Sequence, residues 1–303
     1  MERHQSTVTG RPGPVSGSEE ARVLPVEQNG TQRVPRRPFR IIAMLMLSAA
    51  FAVGTLAVDP SPALAAAKKV VIVVGPTGSQ TASFIRDAKS LASVARGYGA
   101  DVREIYSPNA TWSRVKSHAQ GANILIYLGH GNGYPSPYGS FQRYTKDGFG
   151  LNKTAANGHY NVKYWGEYYI DRDIQMAPNA VVILARLCYA SGNSEWGAAN
   201  PTKSTAMKRI DNYGAGFLRA GAKAVFAEGI TNAAYIIKYL YTSSRTMRGI
   251  FFASPNRTMS YRFHFTSART PGATASADPY RPGRYYRSVV GKLSTTAAEW
   301  RGS

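Results

Sequence analysis

Two side chains capable of nucleophilic chemistry follow apolar runs of the sequence. Cys188 is the single cysteine among 303 residues and comes shortly after the apolar run 181–185, whereas His130 follows an apolar stretch that ends at Leu128. A thiol becomes a nucleophile when a neighbouring base or a helix terminus favours its thiolate form, and histidine is a common base. Three glycines around the histidine permit close approach of the backbone to a ligand: Gly129, Gly131 and Gly133.

A thiol that attacks a carbonyl group also needs hydrogen-bond donors for the oxyanion that develops. The main-chain N–H groups of Gly131 and Cys188 are the candidate donors. The alternative interpretation of both side chains is structural. A single cysteine is commonly a small buried hydrophobe, and a histidine in a glycine-rich turn commonly supports the turn.

The elements that would position these residues are apolar strands alternating with amphipathic helices. This alternation predicts an α/β fold, a three-layer sandwich with a mostly parallel central sheet covered on both faces and with strands that point the same way. Strands are predicted at 68–78 (with its terminal turn), 100–106, 122–133, 180–187 and 222–229. Helices are predicted at 81–96, at 111–119, around 207–218 before Gly221, and from Asn232 to about Tyr241.

Three of the predicted strands end in polar or glycine-rich clusters: GHGNG, CYASGNSE and AEGITN. In parallel sheets of this kind, functional groups gather beyond the carboxyl ends of the strands. We therefore expect His130 and Cys188 to be presented at the same edge of the sheet.

A long insert at 134–178 separates the predicted strand of His130 from the predicted strand of Cys188. The segment GEYYIDRDIQM within this insert is predicted to form a crossover helix. Its many aromatic residues either line a substrate groove or pack the insert on the sheet. They are Tyr134, Tyr138, Phe141, Tyr144, Phe149, Tyr160, Tyr164, Trp165, Tyr168 and Tyr169. Residues 254–303 are polar and are predicted to form an irregular basic C-terminal tail.

The segments LIYLGHG and VVILARLCYASG resemble the caspase–hemoglobinase fold of cysteine peptidases, which includes caspases, legumains, gingipains and separase-type proteases. The later segment FLRAGAKAVFAEG resembles an element of bacterial caspase-like domains. The resemblance covers roughly 68–252 and implies a caspase-like domain at 66–253. The dipeptide before Cys188 is Arg-Leu where caspases have Gln-Ala, so aspartate specificity does not follow.

The resemblance implies a cysteine endopeptidase that acts on a peptide or protein substrate without metal or cofactor. Cys188 would attack the scissile carbonyl, His130 would serve as acid and base, and the Gly131 and Cys188 amides would hold the oxyanion. Pockets of such peptidases are commonly charged. Three acidic residues near the predicted site would favour Arg or Lys in the substrate: Glu228, Glu195 and Asp147. Alternatively, Glu228 caps the following helix or pairs with a surface lysine.

The N-terminal residues are predicted to be a leader and processing segment. Residues 1–40 are polar and basic, and we expect them to be disordered. Residues 41–65 combine an apolar run with a small-residue site at 63–65, which is typical of a signal peptide for export to the cell surface or medium. The arginine pair at 36–37 resembles a twin-arginine signal. A retained membrane anchor is the alternative, because the run 41–58 is close to the minimum length of a span.

The chain is strongly basic, with 37 Lys and Arg residues, 17 Asp and Glu residues and a net charge of +20. Without residues 1–65, which contain seven Arg and five acidic residues, the net charge is +18. This charge predicts an anionic partner surface, such as a cell-wall polymer or a membrane, but does not indicate a fold.

Three other functions compete with the peptidase. A papain-like hydrolase would have Cys before His and at the start of a helix, the reverse of the order seen here. A non-catalytic caspase-like module that binds anionic cell-surface polymer is the second alternative. Specific nucleic-acid binding is not expected, since no helix-turn-helix, RRM or zinc signature is found. The histidines lack metal-ligand spacing, so no metal site is expected either.

Overall fold

The structure is a computed structural model that describes residues 67–230 and 232–302. The predictions for the leader (1–40) and for the signal peptide (41–65) lie outside these residues. None of the helices in the described part of the chain combines the length and the apolar composition that a membrane span requires.

The N-terminal part of the described chain alternates strands with helices, as predicted. The apolar runs form strands whose residues are largely buried, and the helices bury apolar side chains that recur at helical spacing. The elements are β1 (Lys69–Val74), α1 (Thr81–Gly97), β2 (Asp101–Tyr106), α2 (Trp112–Ala119) and β3 (Ile124–Leu128).

The insert contains a two-stranded antiparallel sheet and the predicted crossover helix. Its elements are β4 (Phe149–Asn152), β5 (Val162–Trp165) and α3 (Glu167–Asp173). The chain then returns to the main sheet. The next elements are β6 (Val181–Ala185), α4 (Lys203–Arg219), β7 (Ala224–Glu228), α5 (Ala234–Thr242) and α6 (Met247–Phe251).

The prediction of an irregular basic tail at 254–303 is wrong. The segment forms three strands and a short helix, namely β8 (Phe263–Thr266), β9 (Thr274–Ala277), β10 (Arg287–Gly291) and α7 (Ala297–Arg301). Strand β10 is buried along its whole length between β7 and β9. Its first residue, Arg287, is neutralised by buried carboxylates of Glu228 and Asp278, so a charged side chain starts a core strand.

The main sheet has the strand order β2-β1-β3-β6-β7-β10-β9-β8. The first five strands are parallel, which confirms the mostly parallel sheet of an α/β fold. The expectation that all strands point the same way fails at β10, which pairs antiparallel with β7. Short connections join β8 to β9 and β9 to β10, which run antiparallel to each other, whereas parallel neighbours need long crossovers.

Helices cover both faces of the sheet, which gives the predicted three layers. Successive residues of a strand point to opposite faces. On one face, Val71 and Val73 of β1 belong to the core that contains buried residues of α2, α3 and α4. On the other face, Val70 and Ile72 belong to the core that contains residues of α1, α5, α6 and α7.

Strand register brings the ends of β3, β6 and β7 level with one another. Leu128 pairs with Ala185, and Ala185 pairs with Glu228, so the last residues of the three strands form one row. The segments that follow these strands therefore leave the sheet at the same edge. His130 and Cys188 lie in two of those segments.

Candidate active site

In the loop that follows β3, Gly129 allows the Tyr127 side chain to pack against the main chain. A Cβ at Gly129 would lie 2.3 Å from the Tyr127 hydroxyl, which is closer than real Cβ contacts allow. That hydroxyl is buried and lies 3.1 Å from the His130 carbonyl oxygen and 2.9 Å from the Gly150 carbonyl oxygen. Glycine at 129 thus lets the tyrosine fix the main chain at His130.

The loop after β3 contains His130 and is called the histidine loop, and the loop after β6 contains Cys188 and is called the cysteine loop. The two loops are in direct main-chain contact. A Cβ at Gly131 would lie 2.1 Å from the carbonyl oxygen and 3.2 Å from the amide nitrogen of Cys188. A Cβ at Gly133 would lie 2.3 Å from the Cβ of Tyr189. Only residues without a side chain fit at these two positions, so the glycine pattern serves to bring the two loops together.

The backbone around Cys188 is strained. The Ala190 N–H donates to the Cys188 carbonyl oxygen at 2.9 Å, and Tyr189 between them has φ of +69°. This is the classic γ-turn, a rare and strained conformation. Arg186 also has a positive φ, +64°. Strain of this kind concentrates at functional sites, where the surrounding structure imposes it.

Cys188 lines two cavities at the edge of the sheet. One, of about 750 Å³, is also lined by His130, Gly131 and Asn132. We call it the histidine cavity. The other, of about 460 Å³, lies towards the end of β7 and is also lined by Gly229 and Trp196. Cys188 is half-buried, and a ligand that occupied both cavities would pass beside it.

Burial opposes charge on both candidate catalytic side chains. It raises the pKa of the Cys188 thiol, the negative charge of Glu195 raises it further, and the Trp196 main-chain N–H partly offsets these effects. Burial also lowers the pKa of His130. At neutral pH both groups are therefore uncharged, and the thiol proton has to be transferred when substrate is attacked.

The two main-chain N–H groups predicted to bind an oxyanion belong to Gly131 and Cys188. Within residues 67–230 and 232–302, the structure records no acceptor for the N–H of Gly131 or of Cys188. The Asn132 N–H, one residue further along, is directed to the Tyr213 hydroxyl. The two predicted oxyanion donors lie in the two loops that contact each other.

The prediction that Glu228 lines an acidic pocket is wrong. Glu228 is fully buried, and its Oε2 lies 3.0 Å from the Arg287 Nε while its Oε1 accepts from the Tyr235 hydroxyl at 2.6 Å. Neither capping of α5 nor pairing with a surface lysine accounts for it. The side chain points into the layer between sheet and helices, where its charge holds β7 to β10.

The prediction that Asp147 contributes to an acidic substrate pocket is also wrong. It is fully buried, its Oδ1 accepts from the Tyr134 N–H at 3.0 Å, and burial raises the pKa of this carboxyl group well above its usual range. Glu195 is different, because it lines both cavities beside Cys188 and its Oε1 accepts from the Tyr138 hydroxyl at 2.7 Å. Of the three predicted acids, Glu195 alone is placed to meet a ligand.

The aromatic residues of the insert divide between the two predicted roles. Phe149 is fully buried and packs against Tyr127, and Trp165 stacks on Trp112 at 5.1 Å between ring centroids. Others line the histidine cavity, namely Tyr138, Phe141 and Tyr164.

Arg209 of α4 is a site residue that the sequence analysis missed. Its guanidinium is buried, and it donates to the Pro135 carbonyl (2.7 Å) and to the Ser194 hydroxyl (3.1 Å). It also lies 4.7 Å from the ring centroid of Tyr189. Arg209 therefore joins the loops on both sides of the thiol. An arginine in an amphipathic helix ordinarily faces solvent, so the local sequence pattern does not predict that Arg209 is buried beside the thiol.

The other described histidines lie away from the thiol. His118 is on α2, His159 contacts the Ser107 hydroxyl, and His264 of β8 contacts the Ser276 hydroxyl. Among the described residues, no group of three or more His, Cys, Asp or Glu side chains is placed to hold a metal ion. His130 is the histidine that shares a cavity with Cys188.

No family model matches the sequence, and no curated protein is similar to it. Among solved structures, the chain is similar to the crystal structure of the Arg-specific cysteine proteinase gingipain R, with 13% sequence identity and a TM-score of 0.30. The similarity covers 76% of this chain and 62% of the gingipain chain, so less than two thirds of that protein is spanned.

Proposed function

We propose that this protein is a cysteine peptidase in which Cys188 is the nucleophile and His130 is the general acid and base. The observation that carries the proposal is the main-chain contact between Gly131 and Cys188, which places the histidine loop and the cysteine loop at one cavity. The strained turn at Tyr189 and the unoccupied N–H groups of both loops support it.

The reaction follows from the protonation states of the two groups. His130, neutral at pH 7, accepts the thiol proton as the Cys188 sulfur bonds to the scissile carbonyl carbon. The N–H groups of Gly131 and Cys188 stabilise the oxyanion. The C–N bond then breaks, and His130 gives its proton to the leaving amine. Water attacks the resulting thioester, His130 takes a proton from that water, the C–S bond breaks, and the proton returns to sulfur.

Glu195 supports a preference for basic residues in the substrate. Its carboxylate lines both cavities, and its recorded hydrogen bond is to the neutral Tyr138 hydroxyl. An Arg or Lys side chain next to the scissile bond would pair with this carboxylate in a partly desolvated site, where charge-assisted hydrogen bonds are strong.

A non-catalytic module that binds an anionic cell-surface polymer is the second candidate. The observation in its favour is the raised pKa of the Cys188 thiol, because reactive cysteines usually have a lowered pKa. The net charge of +18 on residues 66–303 is compatible with both candidates. Export through the N-terminal signal, with a retained anchor as the alternative, belongs to the same proposal and depends on residues outside the described part.

Three variants test the peptidase: Cys188→Ala, His130→Ala and the double variant. The expected result with a panel of fluorogenic peptides is loss of cleavage in each, without additivity, because the two side chains act as one unit. His118→Ala, which removes a histidine from α2, is the matched control and should cleave like the wild type. Full cleavage by Cys188→Ala would exclude the proposed nucleophile.

A further inference from the structure

A third cavity, of about 370 Å³, lies far from Cys188 and is rich in basic and hydroxyl side chains. It is lined by Arg248 of α6, by Thr274 at the start of β9, and by Lys292 and Ser294 just after β10. Gly291 at the end of β10 pairs with the first residue of β7, so this cavity lies at the edge of the sheet opposite the candidate active site. We call it the basic cavity.

The two cations of the basic cavity lack carboxylate partners. Within the described residues, neither Arg248 nor Lys292 forms an ion pair, although eight other arginines do. One Arg248 Nη atom donates to the Thr274 hydroxyl at 3.1 Å. The Arg248 Nε is buried, and among the described residues it has no acceptor. A buried donor without an acceptor is costly, so the described residues only partly satisfy the charged Arg248 side chain.

Neighbouring groups do not neutralise the cavity. The Thr296 N–H and hydroxyl, which donate to Glu299 Oε2 in the capping box of α7, lower the pKa of this carboxyl group, and the charge of Lys292 lowers it further. Within the described residues Glu299 forms no ion pair with Lys292. On the other side, burial lowers the pKa of His264, and the positive charges of Arg248 and Arg262 lower it further. The lining of the basic cavity therefore contains two cations and no carboxylate.

We propose that the basic cavity binds a phosphate group. The Arg248 guanidinium would supply a planar pair of donors, the Lys292 ammonium a second charge, and the Ser294 hydroxyl a neutral hydrogen bond. Arginine matches the geometry of phosphate oxygens, and hydrogen bonds between charged groups are about twice as strong as neutral ones. The phosphate belongs either to free inorganic phosphate or to the headgroup of an anionic phospholipid. The proposal is independent of the peptidase proposal.

Titration of the folded protein with inorganic phosphate, in a buffer without other oxyanions, tests the proposal by calorimetry. Lys292 is exposed, so Lys292→Gln should fold normally, and it should bind phosphate at least about tenfold more weakly. Lys153→Gln, which removes an exposed lysine of the insert, is the control for net charge and should bind like the wild type. Arg248→Lys retains the charge but removes the planar donors, and it should also bind more weakly.

A second arm uses vesicles of phosphatidylglycerol in phosphatidylcholine and measures co-sedimentation. Vesicle binding that Lys292→Gln weakens and Lys153→Gln does not would assign the phosphate to a lipid headgroup. Phosphate binding with the same dependence on Lys292, but without vesicle binding, would assign it to the free anion. The proposal is overturned if the two lysine variants lose equal affinity in both arms, or if neither probe binds.

Discussion

Gly131 and Cys188 touch through their main chains, such that any side chain at 131 would overlap the carbonyl oxygen of the cysteine, 2.1 Å from the position of a Cβ. The contact joins two loops that leave neighbouring strands of one sheet. It sets the spacing of the two loops and thereby the relative positions of the main chain at His130 and Cys188.

Gly131→Ala should therefore reduce peptide cleavage by about 100-fold or more, because the added methyl group forces the two loops apart and small misplacements of catalytic groups are this costly. Gly97→Ala is the control, since a Cβ there would meet nothing within 4 Å and Gly97 has an ordinary φ. The measurement is kcat/KM for a cleaved peptide, with circular dichroism to verify folding. Wild-type activity in Gly131→Ala would show that the loop contact is not needed.

Glu195→Gln should change two measurements in opposite directions. The rate of Cys188 alkylation should rise, because the Glu195 charge raises the pKa of the thiol and its removal increases the thiolate fraction. Cleavage of Arg-containing peptides should fall by about tenfold, because a charge-assisted hydrogen bond is lost. Asp101→Asn, which removes an exposed acid at the start of β2, should change neither. Unchanged selectivity between Arg- and Asp-containing peptides would remove Glu195 from substrate binding.

The pH dependence of kcat/KM should report His130. The histidine must be neutral to accept the thiol proton, so activity is present above its pKa and is lost as the pH falls through it. Because burial lowers this pKa from the ordinary value of 6.5, the loss should have its midpoint below pH 6.5. A midpoint above that value would indicate that an anion, such as the thiolate, stabilises the imidazolium.

Arg287→Met should lower the free energy of unfolding by about 3–5 kcal/mol, because it leaves Glu228 and Asp278 as buried carboxylates without their cation. Arg103→Met removes a side chain that is 55% exposed and pairs with Asp101, so it should cost less than about 1 kcal/mol. Urea unfolding of the two variants measures the difference. Equal stability of both variants would show that the buried pair does not hold β10 in the sheet.

The parallel half of the sheet could be predicted from the sequence because burial on both faces leaves a clear pattern. Runs such as Val70–Val74 and Val181–Ala185 are apolar at consecutive positions, and glycines or polar clusters follow several of them. The same pattern placed His130 and Cys188 after neighbouring strands. The direction of a parallel sheet then sufficed to bring them to one edge.

Strand β10 and the burial of Glu228 could not be predicted, because long-range charge pairing determines them. Arg287 begins a buried strand only because Glu228, distant in sequence, lies opposite it in the sheet. Each residue alone is typical of a surface. The same holds for Arg209, whose partners belong to loops on either side of the thiol. Contacts of this kind have no local sequence period.

The reactivity of the single cysteine shows most directly whether Cys188 is the nucleophile. Iodoacetamide added to the native protein should alkylate Cys188, and peptide cleavage should disappear at the same rate, since no other cysteine can contribute. His130→Ala should be alkylated more slowly than the wild type, and His118→Ala equally fast. A thiol that reacts only after denaturation, or peptide cleavage by protein fully alkylated at Cys188, would contradict the role of Cys188 as nucleophile.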